Sequence, residues 1–343
     1  MSKIANETAV SAENTAVYVP TDEDFEFLEN RDIAIDRNFA AQGYWKGVFT
    51  RFFRKKRSVI GLVIVLIIIA FAVVAPIASP YENTQIIKGE YEGKRKVAKS
   101  LPPRIAGVGE VHDDAFEEYT FLFGTDSVGR DLFTRTAHGA RVSLLIALIT
   151  IIIDMIIGMS YGLISGYFGG ITDATMQRIV EIVYSIPRLV IVSVLAVFMP
   201  KGIWLVIVAL LLTEWIGMSK IARAEMLQMK DQESILASRT LGAGSRWIIF
   251  KDVLPNTIGP IITQIMFSVP TAIFTEAFLS FVGVGIIVPQ CSVGSLIEDG
   301  FNNITTLPYQ IIPPILILAL LMLGFNFIGD GLREALSPSI EDM

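Results

Sequence analysis

The chain holds one cysteine, Cys291, two histidines, His112 and His138, and charged side chains at only 18% of its 343 positions. A single thiol excludes an internal disulfide framework and a multi-cysteine metal site, and Cys291 reads as a small residue in a loop. The histidines lie far apart without a second ligand pattern, so no metal site is expected. No G-x4-G-K-[ST] loop is present to cradle phosphate, so the chain itself is not expected to hydrolyse ATP, nor is a cofactor expected. No basic patch carries interleaved aromatics, which argues against nucleic acid. Gly158-Met159-Ser160-Tyr161-Gly162 spells G-x-S-x-G. A nucleophile elbow needs a strand before the serine and a histidine base, whereas this match lies in an apolar run, so a hydrolase is excluded.

What is abundant is apolar sequence. Hydrophobic residues make up 52% of the chain and the mean hydropathy is +0.56. Residues 58–81 contain no charge over 24 positions, enough to cross a bilayer at about 1.5 Å per residue. The reading is an all-α polytopic membrane protein with six transmembrane helices, at about 58–79, 142–166, 178–199, 202–219, 258–284 and 310–329. Gly158, Gly162 and Gly166 recur every four residues in the second span, a small face that permits close helix packing. Pro187 is expected to kink the third span, and Pro260 and Pro270 to interrupt the fifth.

The net charge of −6 is unevenly spread. The first 36 residues hold nine acids against Lys3 and Arg31, so residues 1–45 read as a loosely ordered acidic tail in which Phe25, Phe27 and Leu28 make at most a short amphipathic turn. Lys46, Arg51, Arg54, Lys55, Lys56 and Arg57 then supply six cations and no acid just before the first span. That cluster places the N-terminus inside and can attract anionic lipid. The first apolar block lies far from the N-terminus and reads as an uncleaved anchor rather than a signal peptide. With six spans the C-terminus is also cytoplasmic. Residues 46–79 are then the basic segment and first span, 80–141 an external loop, and 142–343 the membrane core. The 80–141 loop holds nine Lys or Arg residues, but loops of this length largely escape the positive-inside rule. The loop 286–309 has no Lys or Arg, in keeping with an external position.

The segment 221–256 is too polar to be a span, with nine charged residues. Its periodicity predicts a short helix beginning near Gln232 and capped by Asp231. Gly242 and Gly244 stop that helix, and Ser245 caps a second one over 246–254. Glu233, Ser234, Ala237, Ser238 and Gly242 present small residues that let another surface approach closely. Pro255-Asn256 marks re-entry into the membrane.

The run Glu233-Ser234-x3-Ser238-x3-Gly242, followed by Ile248 or Ile249 and by Leu254-Pro255-Asn256, resembles the EAA loop of ABC-importer permeases. Ser238 stands where a second alanine is common. Gly124-Thr125-Asp126 with Gly129-Arg130-Asp131, then Arg135, Gly139-Ala140-Arg141 and Ser143-Leu144, resembles a segment of the permeases in oligopeptide, dipeptide and nickel importers. Gly166-Tyr167-Phe168-Gly169-Gly170-x2-Asp173 with Arg178, Glu181 and Ile186-Pro187 follows the same family, as do Glu276-Ala277-Phe278-Leu279-Ser280-Phe281 and Gly329-Asp330-Gly331-Leu332-Arg333. Glu181 replaces a usual aspartate, and Arg188 occupies a position that is ordinarily uncharged.

The resemblance covers about 45–340 and implies a type I ABC-importer permease fold. It implies the permease subunit of a peptide importer, a C-type subunit of an oligopeptide or dipeptide system. The partners it implies are a homologous second permease, two ABC ATPase subunits, an external substrate-binding lipoprotein, the peptide and membrane lipid, with no nucleic acid. In the family the loop at Glu233–Gly242 forms the coupling helix against the ATPase. Asp126, Arg130, Asp131 and Arg135 are expected to form an external ion-pair network of structural use. Asp154, Arg188 and Glu276 are charges at membrane depth and so candidates for the translocation path. Arg188 is expected to face that path or to pair with Asp154 or Glu181, while Glu214, Trp215 and Lys220 are placed near the inner face. For Glu276 a helix-packing hydrogen bond is an equal alternative. A second reading is an ion-coupled secondary transporter using Asp154, Arg188 and Glu276 as a charge relay.

Overall fold

The computed structural model describes residues 44–92, 94–106, 114–287 and 289–336. The acidic tail, His112 and the Ser337-Pro338 ending lie outside the described residues. Trp45–Met343 forms one compact unit.

Ten helices organise the described residues. A short helix α1 (Tyr44–Arg54) leads into α2 (Lys56–Ala78), and a two-stranded antiparallel hairpin follows, β1 (Lys88–Tyr91) paired with β2 (Lys94–Val97). Helix α3 (Leu132–Phe168) is 37 residues long and contains a π turn at Asp154–Gly158. Then come α4 (Gly170–Ser185) and α5 (Arg188–Phe198), α6 (Ile203–Met229), α7 (Glu233–Thr240) and α8 (Ile258–Phe281). Helices α9 (Val293–Asn302) and α10 (Ile312–Leu336) complete the order. Five helices are long and apolar enough to cross a membrane, and a sixth crossing arises if the bent pair α4–α5 counts as one.

Several boundaries differ from the sequence reading. Helix α3 starts ten residues before the expected 142, because Asp131 caps it by accepting the Thr134 N–H at 2.8 Å. Polar residues in the first turns conceal a helix that hydropathy alone places in the loop. The kink expected at Pro187 is a full break: α4 and α5 meet at 81°. Pro260 falls in the first turn of α8, where its missing N–H costs nothing, and Pro270 is accommodated inside a continuous helix. Helix α6 runs on to Met229 and α10 to Leu336, so polar segments assigned to loop and tail are helical. The 286–309 loop also contains α9, with a capping box between Ser292 and Ser295.

Helices in lipid gain little from burying one another's apolar faces, so close approach must come from small residues. The stripe Gly158, Gly162 and Gly166 supplies this on α3. A Cβ at Gly158 would sit 2.7 Å from the Trp215 carbonyl, and one at Gly166 2.8 Å from Met226 Cβ, both on α6. At Gly162 it would overlap the Ser219 carbonyl. Gly61 and Gly324 play the same part between α2 and α10. A central cluster including Ile68, Ala72, Ala147, Val269, Ile273 and Leu321 ties α2, α3, α8 and α10 together.

Gly162→Val is therefore expected to destabilise the α3–α6 pair by at least 1–3 kcal/mol, lowering the unfolding temperature in detergent. Gly244→Ala, where nothing lies within 4 Å, should leave it unchanged.

Candidate functional site

Two arrangements stand apart from ordinary helix packing. The first is the surface built by α7. Its residue Ile235 is buried, while Glu233, Ser234, Leu236, Ala237, Arg239 and Thr240 are exposed and Ser238 half-buried. Asp231 does not cap the helix: Gln232 is its N-cap residue and makes no side-chain cap bond. The helix ends as Gly242 takes φ +86° and donates its N–H to the Arg239 carbonyl, while the Ala243 N–H reaches Ser238 at 3.0 Å. Leu241 is left 88% exposed beside it. The predicted second helix over 246–254 is present as a continuous helical run from Ser245 to Asn256, with a π turn at Ile248–Val253. Its N-cap is Gly244 rather than Ser245.

Ile235 enters a core made by Leu163 of α3, Ala222 and Met226 of α6, and Ile248, Ile249 and Val253. A load on α7 thus bears on the ends of two spans at once. Nearby, Arg223 of α6 donates Nε and Nη2 to the two oxygens of Asp173 of α4, each at 2.6 Å, and the Ser165 hydroxyl of α3 donates to the same carboxylate. This bidentate clasp joins three helices. The spacing of Asp173 and Arg223 along the chain gives no local signal for it.

The second arrangement is a cavity of ≈ 430 Å³ at the α4–α5 break, bounded also by α6 and α8. Arg188, the first residue of α5, meets Glu214 at 2.5 Å and donates to the Thr275 hydroxyl at 2.8 Å. The expected pairing with Asp154 or Glu181 is not formed, since Glu181 is exposed and bonds Arg178 three residues away on the same helix. Glu214 lies in the middle of α6 and is buried, not near the helix end where the sequence reading put it. Asp154 is buried in the π turn of α3, close enough to act electrostatically on Glu214. Neither of its oxygens has hydrogen-bond geometry to a partner, although the Ser268 hydroxyl is a near neighbour. Lys220 also lines the cavity and lies over the Tyr184 ring at 4.0 Å. Glu276 is outside this group: it accepts from the Ser143 and Ser280 hydroxyls at 2.9 and 2.8 Å, a bonded link between α8 and α3.

On the hairpin side, Asp126 accepts the N–H groups of Val128, Gly129 and Arg130 and pairs with Arg130 Nε at 2.6 Å. Arg135 is fully buried between Asp126 at 3.6 Å and Asp299 at 3.7 Å. Burial pushes the Asp299 carboxyl up from its ordinary value, with Arg135 pulling the other way. Among the described residues Asp131 makes no ion pair; its carboxylate caps α3. Cys291 lies in the loop before α9, as expected, and is buried there, with Sγ 3.7 Å from His138 Nδ1. No cluster suited to a metal ion occurs among the described residues.

The described residues thus form a bundle of membrane-length helices with one short, largely exposed helix between α6 and α8. The sequence profile described as "Binding-protein-dependent transport system inner membrane component" matches residues 158–342, and that of the "N-terminal TM domain of oligopeptide transport permease C" matches residues 43–103. The chain belongs to the family of binding-protein-dependent transport system inner membrane components. It is 39% identical over 86% of its length to the oligopeptide transport system permease protein OppC of Bacillus subtilis, covering 90% of that protein. It is also 39% identical to the dipeptide transport system permease protein DppC of the same organism, over 87% of this chain and 86% of that one. OppC of Escherichia coli is 35% identical, over 86% and 91%. A chain of the solved inward-facing MetNI methionine ABC transporter, CY5 native crystal form, covers 59% of this chain and is itself covered to 96%, at TM-score 0.50 and 20% identity. The chain therefore has the fold of an ABC transporter permease and is a multi-pass membrane protein.

Removing Arg188 would strand Glu214 without its partner. Arg188→Leu is expected to cost roughly 3 kcal/mol, at the low end for a broken pair because Arg188 is partly exposed. Adding Glu214→Gln should recover much of it in a double-mutant thermal cycle.

Proposed function

We propose that this chain is one permease subunit of an ATP-driven importer that takes up oligopeptides or dipeptides. It works beside a homologous second permease, with two ABC ATPase subunits and an external substrate-binding lipoprotein. Similarity to both oligopeptide and dipeptide permeases over most of the chain supports the peptide substrate. The six cations from Lys46 to Arg57, ahead of the uncharged run of α2, support cytoplasmic termini.

The observation that carries the reading is α7, a helix exposed along most of its surface and held to its own chain by Ile235. Glu233, Ser234, Ala237, Ser238 and Gly242 form the ATPase contact. ATP hydrolysis occurs in the partner subunits, and their closure displaces α7. Ile235 transmits that displacement to α3 and α6, and the cavity alternates between the two faces of the membrane. Arg188 and Asp154 line or border the path, where the exposed part of the guanidinium can meet a substrate carboxylate. Glu276 holds α8 to α3. Asp126, Arg130 and Asp131 shape the outer end of α3.

Gly242 has a positive φ that an L side chain strains to adopt, and an arginine there would also project from the contact surface. Gly242→Arg is expected to abolish copurification of the ATPase subunits and peptide uptake while the chain still inserts. Normal uptake by this variant, or uptake driven by an ion gradient in liposomes holding only this chain, would defeat the proposal.

A further inference from the structure

Helix α1 has an apolar face of which part is buried against the described residues and part is exposed. At 100° per residue, Trp45, Val48, Phe49, Phe52 and Phe53 occupy an arc about 140° wide. Val48 and Phe52 are buried in a cluster with Val65, Ile328 and Ala335. Trp45, Phe49 and Phe53, at four-residue spacing, remain 47%, 60% and 54% exposed. Lys46, Thr50 and Arg54 are exposed on the adjoining face. Aromatics outward beside cations fit a helix lying in a bilayer interface. Only Lys55 separates α1 from the membrane-crossing α2, so α1 cannot leave the bilayer surface.

A cleft of ≈ 390 Å³ opens at this joint. Lys55, Lys56, Arg57 and Ser58 line it from one side, and Asp330 and Glu334 of α10 from the other. Lys55 pairs with Glu334, so the exposed cations Lys56 and Arg57 outnumber the one remaining carboxylate, Asp330. The first turn of α2 has neither a side-chain cap nor an acidic residue of its own, so the positive end of its dipole adds to these cations. No Asp or Glu occurs from residue 44 to residue 81.

We propose that α1 is an interfacial anchor whose Phe49 and Phe53 insert among acyl chains, and that the Lys55–Ser58 cleft binds the phosphate of an anionic phospholipid. The charge balance selects the anionic headgroup, and the exposed rings select a lipid over a free anion.

The test uses the full-length chain in nanodiscs of phosphatidylcholine with or without phosphatidylglycerol. In a Cys291→Ser background, spin labels at Phe49→Cys and Phe53→Cys should report acyl-chain depth, and one at Thr50→Cys should report water. Native mass spectrometry should find phosphatidylglycerol retained over phosphatidylcholine by at least about tenfold, falling by roughly fivefold for each cation lost in Lys56→Gln and Arg57→Gln. Because those cations also bear on insertion, Phe49→Ser/Phe53→Ser, which keeps every charge, should lower retention as well. Labels at 49 and 53 in water would overturn the proposal, as would equal retention of the two lipids. Displacement of the lipid by inorganic phosphate alone would make the cleft a free-anion site. Retention that appears only after residues 2–36 are removed would assign the face to the acidic tail.

Discussion

The contact on which the architecture depends is the glycine seam between α3 and α6. Lipid is as apolar as leucine, so nothing squeezes two spans together as water does in a soluble core. Without Cβ atoms at 158, 162 and 166, the α3 backbone comes against the Ser219 and Trp215 carbonyls and the Met226 side chain. That approach brings Leu163 within reach of Ala222 and Met226, which creates the socket for Ile235. It also sets Ser165 beside the Asp173–Arg223 clasp. The surface helix and its anchorage are thus downstream of three missing side chains.

The charges at membrane depth divide by what they touch. Glu276 is satisfied by two serine hydroxyls and behaves as packing. Arg188 and Glu214 are paired as ions across the α4–α5 break, where the chain turns through 81° and opens a cavity. Asp154 sits in the π turn of α3, a local widening of the helix of the kind often found at functional sites. Of the three charges singled out from sequence, Arg188 alone lines this cavity, and Asp154 lies beside Ser268, which also lines it; the partner that organises Arg188, Glu214, was read as a helix-end residue.

The crossings were legible because long uncharged runs have no other physical use. The glycine stripe was legible because four-residue spacing puts small residues on one helix face. Helix ends were not, since Thr134, Arg135 and Thr136 are polar yet buried in the first turns of α3. They were concealed by a cap, Asp131, whose sequence context suggested an ion pair. Pairings such as Arg188 with Glu214 or Asp173 with Arg223 depend on tertiary approach, and a single sequence has no term for it. The small residues of 233–242 were readable as an approach surface, but the burial of Ile235 alone among them was not.

Helix α3 has a consequence for how the two faces of the membrane communicate. At 37 residues it is about 55 Å long, against a hydrocarbon thickness of about 30 Å. One end is tied by Asp131 into the turn that Asp126 organises, and the other carries Leu163 and Ser165 toward the surface helix. A single rod therefore runs from the Asp126 turn to the socket that holds Ile235. Tilting it about its widened middle converts a small sideways push at either tip into an opposite swing at the far one.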